Sequence, residues 1–122
     1  MEHRIVPWKV PFILLTLLGV LEVAVVCFHW RAIPHFDVFM HLLGGMTVGL
    51  FIVRLFRFDR TMPAVLFVLF CGVAIGIAWE MFEYVIDTAG ILSVPMSAFE
   101  SLKDVAVGSI GAVCATFFTK NP

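Results

Sequence analysis

Four stretches of the chain are long and apolar enough to cross a lipid bilayer. They cover residues 10–29, 36–56, 63–87 and 101–119. A membrane-spanning helix needs about 20 mostly apolar residues to cross about 30 Å of hydrocarbon. Backbone polar groups in lipid must be paired within the protein, and a continuous apolar run of this length achieves that pairing as a helix. The sequence therefore predicts an all-α fold, an integral membrane bundle of four transmembrane helices.

The composition excludes a water-soluble domain. Hydrophobic residues make up 61% of the 122 residues and charged residues 14%, whereas soluble domains average about 45–50% and about 25%. The length indicates a single domain, 1–122, which is too small to hide that much apolar surface from water. The net charge of −1 argues against nucleic acid as a partner, because binding it requires a basic patch. Three cysteines in apolar runs are interpreted as small buried hydrophobic residues: Cys27, Cys71 and Cys114.

The placement of lysine and arginine predicts the orientation. With four spans, both termini and the loop after the second span share one side of the membrane. That side carries Arg4, Lys9, Arg54, Arg57, Arg60 and Lys120, and the other side carries Arg31 and Lys103. Cytoplasmic segments are the ones enriched in Lys and Arg, so we expect a multi-pass protein of the cell (inner) membrane with both termini cytoplasmic. The first span is interpreted as a retained helix and not a signal peptide, because no small-x-small cleavage motif follows it.

The spans carry their ionisable residues at one level of the bilayer. The second and fourth spans begin on the outer side and the third ends there, so the polar residues near those ends lie in the outer leaflet. Glu22 lies about 18 Å along the first helix from Val10 at a rise of 1.5 Å per residue, slightly past the midplane towards the same side. The full set is Glu22, Asp37, His41, Glu80, Glu83, Asp87 and Asp104.

Helical spacing places most of these groups on shared faces. Asp37 and His41 are four residues apart, and Glu80, Glu83 and Asp87 follow an i, i+3, i+7 pattern, so each set shares one helical face. Glycine continues each polar stripe, and small residues let membrane helices approach closely. These glycines are Gly44, Gly76, Gly108 and Gly111, the last two on the stripe of Asp104. The polar faces are therefore expected to converge inside the bundle, above a tightly packed glycine floor.

A divalent cation is the economical way to keep such a cluster in the membrane. Each intramembrane carboxylate costs at least about 2.5 kcal/mol unless it is paired or hydrated, and five or six acids cannot all stay ionised without a cation. Helical bundles supply Asp, Glu and His ligands at i, i+3 and i, i+4 spacing, and this mixture of donors suits Zn, Mn or Fe. The predicted metal ligands are Asp37, His41, Glu80, Glu83 and Asp104. Alternatively, Asp37 orients His41 from outside the coordination sphere.

Three classes of function are compatible with this pattern. The first is a metal-dependent hydrolase or transferase that acts at the outer leaflet on a lipid or lipid-linked envelope precursor, with Glu83 or Asp87 as the catalytic base. The second is an ion or proton carrier in which Glu22 relays protons. The third is a non-catalytic assembly or binding subunit. Expected partners are membrane lipids and a second copy of the chain, packed through glycine-rich helix faces.

Individual polar residues also have purely structural explanations. Glu22 alone fits a hydrogen-bonded interior acid, and Asp87 fits a cap at the outer helix end. Asp104 with Ser101 fits an acidic first turn, which the helix dipole favours. Residues 88–100 are expected to form the longest exposed loop, since they are rich in loop formers. The apolar residues of that loop either roof the site as a lid or rest on the bilayer as a plain connector.

The polar motifs resemble a known group of membrane proteins. Three motifs carry the resemblance: Asp37-x3-His41-x2-Gly44-Gly45, then Glu80-x2-Glu83-x3-Asp87, then Asp104 followed by Gly108 and Gly111. They look like the motifs of the VanZ-like and YjdF-like small membrane proteins of bacteria and archaea. The resemblance covers about residues 37–111. It implies a small helical membrane protein with an acidic and histidine signature on one side. VanZ itself is linked to resistance against a glycopeptide antibiotic, so the resemblance points to the cell envelope.

Overall fold

Four α-helices form the fold in the computed structural model, which describes residues 6–28, 30, 33–90 and 97–118. They are α1 Lys9–Phe28, α2 Phe36–Phe56, α3 Met62–Thr88 and α4 Ala98–Cys114, and α4 continues into a 3-10 turn, Ala115–Phe118. All four are long and apolar enough to cross a membrane when the 3-10 turn is counted with α4. The prediction of an all-α, four-helix membrane bundle is confirmed.

Side-chain caps fix the starts of the third and fourth helices. The Thr61 hydroxyl accepts a hydrogen bond from the backbone N–H of Ala64. Ser97 and Glu100 form a capping box, in which each side chain accepts a hydrogen bond from the other residue's backbone N–H, so two otherwise unpaired donors are satisfied. α4 therefore begins three residues before Ser101, and Asp104 lies in its second turn. The cap is made by Ser97 and Glu100, and not by Asp104 with Ser101.

Backbone contact joins α2 to α4 along most of their length. A Cβ atom added at Gly45 would overlap the carbonyl oxygen of Gly108, and one added at Gly111 would overlap the carbonyl oxygen of Leu42. Approach this close is possible only because neither helix carries a side chain at the contact, as in other glycine-packed membrane helices. The fixed spacing between α2 and α4 holds their polar residues at one level.

The first helix is peripheral. Among the described residues, α1 makes its substantial contacts with α2, and only 11% of its most apolar window is buried, against 39% for α2 and for α4. Cys27 lies on this helix and is exposed, so the interpretation of all three cysteines as buried is wrong for this one. Because α1 does not pack closely against α3, an open space remains between these two helices.

Candidate functional site

One histidine lies at the centre of the polar cluster. His41 Nε2 is 3.5 Å from Asp37 Oδ1, 3.6 Å from Asp104 Oδ2 and 3.8 Å from Glu80 Oε1. Asp37 is one turn before His41 on α2, whereas Glu80 and Asp104 come from α3 and α4. Three helices therefore contribute to one site, on the side of the bundle where α1 and α3 end and α2 and α4 begin. We call this the cluster side.

The cluster contains two overlapping groups of possible metal ligands. In one group Asp37, His41 and Asp104 each offer a ligand atom within 4.8 Å of the others, and in the second His41, Glu80 and Glu83 do the same. A zinc ion about 2.0–2.2 Å from each donor separates two ligand atoms by at most about 4.4 Å. The three distances from His41 Nε2, 3.5–3.8 Å, lie within that limit, and the 4.8 Å bound on each group lies slightly above it. All five sequence-predicted ligands belong to one group or the other.

The carboxylate of Glu80 is buried without a hydrogen-bond partner. The residue is 7% exposed, and neither of its side-chain oxygens has a hydrogen-bond partner among the described residues. Buried polar groups are almost always paired, because an unpaired one loses its interactions with water and gains nothing in return. Glu80 Oε1 lies on the His41 side of the cluster, so an additional group located there would pair it.

The described side chains supply little positive charge to balance the acids. Lys103 Nζ is 3.4 Å from Asp104 Oδ1, at the rim of the cluster, and its side chain is 38% exposed. Arg31, the other basic residue predicted on this side, lies outside the described residues. Within the described part of the chain, the cluster thus contains four carboxylates and only two basic groups, the His41 imidazole and the Lys103 ammonium at the rim. This excess of negative charge favours a cation over a neutral ligand.

The predicted catalytic acids occupy different positions. Glu83 is half-buried and belongs to the group with His41 and Glu80. Asp87 follows one turn later on α3, about 6 Å further along the helix axis, and belongs to neither group. Helical periodicity places both residues on the same face of α3, so the sequence pattern alone does not show which of them reaches the cluster. The structure brings Glu83 to the cluster and leaves Asp87 beyond it.

A cavity of about 270 Å³ opens beside the cluster. Its polar end is formed by Glu22, Asp37, His41, Glu83 and Asp104. The rest is lined by apolar side chains and glycines, and by Thr47, whose hydroxyl donates a hydrogen bond to the backbone carbonyl of Leu43. Its volume is near the lower end of the range of about 300–1,000 Å³ that is usual for ligand pockets. The cavity was not predicted from the sequence, because it depends on where α1 packs.

The glycines of the polar stripes have two different roles. Gly108 and Gly111 lie at the α2–α4 contact, as a tightly packed floor requires. Gly44 instead lines the cavity, and a Cβ atom added there would meet only Leu18 Cδ2, at 3.7 Å. Gly76 also lines the cavity, with Val105 atoms no closer than 3.5 Å to an added Cβ. The expected tight glycine packing is therefore present where α2 meets α4, but it is absent on the side that faces α1, where the glycines line the cavity.

The predicted loop over the site is shorter than residues 88–100. Thr88 ends α3, and Ser97 already caps α4. Residues 91–96, which contain most of the apolar side chains proposed to roof the cluster, lie outside the described residues. The lid interpretation therefore stays a prediction.

Comparison with known proteins identifies a family. Residues 4–120 match the family model described as "Predicted membrane protein (DUF2238)". No curated protein and no solved structure matches the chain. The family match supports a small membrane-protein family, as the sequence motifs suggest, but it does not point to VanZ-like proteins specifically. Since the match covers almost the whole chain, the protein belongs to the DUF2238 family of membrane proteins.

Proposed function

We propose that the protein is a metal-dependent membrane enzyme, a hydrolase or transferase, that acts on the headgroup of a lipid or lipid-linked envelope substrate. The observation that carries this proposal is the Glu80 carboxylate, buried and without a hydrogen-bond partner, next to His41. A divalent cation between these two residues would pair the carboxylate and offset the surplus of negative charge. A purely structural polar network would instead be expected to satisfy Glu80 internally.

The donor set agrees with a borderline divalent metal. Carboxylates and one imidazole suit Zn, Mn or Fe, whereas a thiolate site would select softer metals. In this proposal the ion is held by His41, Glu80 and Asp104, whose side chains are 12%, 9% and 8% exposed, and Asp37 completes the set. When bound, such an ion supplies Lewis-acid activation of a substrate oxygen or of a water molecule.

The protein's own residues then have separate tasks. Glu83 faces the cavity and is the general base in this proposal, in preference to the more distant Asp87, because a base must be within hydrogen-bond reach of the proton it accepts. Asp37 holds the orientation of the His41 ring when it is not itself a ligand. The apolar part of the cavity argues against the ion-carrier alternative, since Leu15, Phe51 and Gly72 line it and give a proton no polar route towards the other side.

Elemental analysis of the purified protein tests the proposal directly. We expect about one divalent metal ion per chain after purification without chelator, and loss of that metal after treatment with a chelator. Metal-free protein whose thermal midpoint does not change when Zn, Mn or Fe is added would refute the metal site.

Replacing Glu80 with glutamine should separate metal binding from folding. A bound metal stabilises the folded state, so Zn or Mn should raise the thermal midpoint of the wild type, whereas E80Q should show no such rise. In chelator, E80Q should be at least as stable as the wild type, because the amide removes a buried charge that accepts no hydrogen bond from the described residues. Glu22→Gln is the matched control, since Glu22 lines the cavity but belongs to neither ligand group. A metal-induced rise in E80Q equal to that in E22Q would exclude Glu80 as a ligand.

Reporter fusions should show both termini in the cytoplasm. The reason is the six-to-two distribution of Lys and Arg between the two sides. A fluorescent protein fused after Pro122 should be fluorescent, and an alkaline phosphatase fused there should be inactive. The same two reporters fused after Gly90 should give the opposite result. Phosphatase activity after Pro122 would move the cluster to the cytoplasmic leaflet.

The proposed partners follow from the same arrangement. Membrane lipids are the expected substrates, and the envelope setting that the VanZ-like resemblance implies stays a prediction. Homo-oligomerisation through glycine-rich faces also stays a prediction. Gly45, Gly49 and Gly111 are already used in the chain's own α2–α4 contact.

A further inference from the structure

We propose that the cavity holds one acyl chain of a bilayer phospholipid, which enters sideways between α1 and α3 and places its headgroup at the cluster. This inference rests on the proposed function and specifies its substrate as an amphiphile taken from the surrounding leaflet. Four properties of the cavity carry it: its polarity, its length, its opening to the membrane and the space at Gly44.

The cavity has the polarity of a lipid molecule. Its acidic and histidine residues lie together at one end, on the cluster side. Below them the lining is mostly apolar, with Leu18 from α1, Val48 from α2 and Ile75 from α3. Water is a poor filling for this lower part, because an ordered water needs two to four polar partners. Hydrocarbon fills it without leaving any polar group unpaired.

The length of the cavity corresponds to one leaflet. Along α2 its lining begins at Phe36, and the part below the cluster runs from His41 to Phe51, while along α3 the lining runs from Gly72 to Glu83. At 1.5 Å per residue each stretch is about 15 Å long. The hydrocarbon core of a bilayer is about 30 Å thick, so a length of about 15 Å matches that of one acyl chain, which covers half of it.

The cavity is open to the membrane on the side where α1 and α3 are separated. Leu15 on α1 and Ile75 and Trp79 on α3 line the cavity, yet they are 48%, 46% and 42% exposed. Side chains that face the cavity and the surroundings at the same time mark its rim. In a membrane the surroundings at this depth are acyl chains, so a lipid reaches the cavity without leaving the hydrocarbon.

Gly44 provides a position at which the cavity can be filled by substitution. An added Cβ would make only an ordinary contact with Leu18 of α1, and Gly44 lines the cavity, so a leucine introduced there is expected to occupy cavity space. Gly19 is the matched control, because it is exposed on α1 and an added Cβ meets nothing within 4 Å. G44L and G19L thus add the same side chain inside and outside the cavity.

Photocrosslinking tests the proposal. The full-length protein is reconstituted in phosphatidylcholine vesicles that contain a phosphatidylcholine with a diazirine midway along one acyl chain, and adducts are mapped by mass spectrometry. We expect adducts on Met40, Thr47 and Val48. Thr47 lines the cavity and is only 2% exposed, so lipid on the outside of the bundle does not reach it. G44L should lose these adducts and G19L should keep them.

Each outcome decides the question. A wild-type map with adducts only on outward-facing residues overturns the proposal, even if G44L does not fold. Equal inward adducts in G44L and G19L overturn it as well. The metal is measured in parallel: His41→Ala should lose the metal and keep the inward adducts. Metal without inward adducts refutes the acyl-chain site alone, whereas inward adducts without metal in the wild type refute the metal-dependent function and leave the chain site.

Discussion

Replacing His41 with alanine should eliminate metal binding while the helical bundle stays folded. His41 is the one residue shared by both groups of candidate ligands, so its loss breaks each of them. Losing an outer-sphere partner typically weakens metal affinity 10–100-fold, and losing a direct ligand should weaken it by more than about 100-fold. The fold should tolerate the change, because the core cluster around Val53, Val68 and Ala112 does not include His41.

Elemental analysis measures the metal content of the variant, and circular dichroism measures whether its helices stay folded. His35→Asn is the control, since His35 is exposed just before α2 and its positive φ of 64° suits asparagine better than alanine. H35N should keep the metal and H41A should lose it, with equal helical content in both. Wild-type metal content in H41A would end the metal-site hypothesis.

Adding one methyl group at Gly45 should unfold the bundle, whereas the same change at Gly44 should be tolerated. Extra atoms in a packed core typically cost about 1–3 kcal/mol when neighbouring side chains can adjust. At Gly45 the obstructing atom is the backbone carbonyl oxygen of Gly108, which can move only if the whole of α4 moves. We therefore expect G45A to lose more than about 3 kcal/mol, above the usual range for overpacking.

The measurement is the loss of helical circular dichroism during titration with sodium dodecyl sulfate. G44A is the control, because an added Cβ there makes only a 3.7 Å contact. The two variants differ by a single position and carry the same substitution, so intrinsic helix propensity cancels in the comparison. Equal midpoints for G45A and G44A would show that α2 and α4 are not in backbone contact.

The fold was predictable because length and apolarity alone decide whether a segment spans a bilayer. The start of α4 was less accessible from the sequence. A count of apolar residues places it near Ser101, whereas the capping box of Ser97 and Glu100 starts the helix at Ala98. The Ser-x-x-Glu spacing is itself a helix-start signal. The uncharged run of the fourth span excludes it, because Glu100 is charged.

Most of the candidate site followed from helical geometry. Depth along each helix and position around it bring Asp37, His41, Glu80 and Asp104 together, as the structure shows. The cavity did not follow, because α1 is apolar nearly all round and periodicity does not say which face packs. The different roles of Gly44 and Gly45 could not be predicted from the glycine pattern either. Adjacent helical positions point about 100° apart, so one faces α4 and the other faces the cavity.

The modest apolarity of α4 has a consequence for biogenesis. Its most apolar window has a mean hydropathy of 1.3, against 2.5 for α1, and it brings Asp104 into the membrane at a cost of about 2.5–3.5 kcal/mol for an unpaired acid on insertion scales. α4 also leaves the ribosome after the other three helices, when His41 on α2 is already in the bilayer to receive Asp104. We therefore expect the insertion of α4 to depend on the pairing of Asp104 with His41, which also closes the polar cluster.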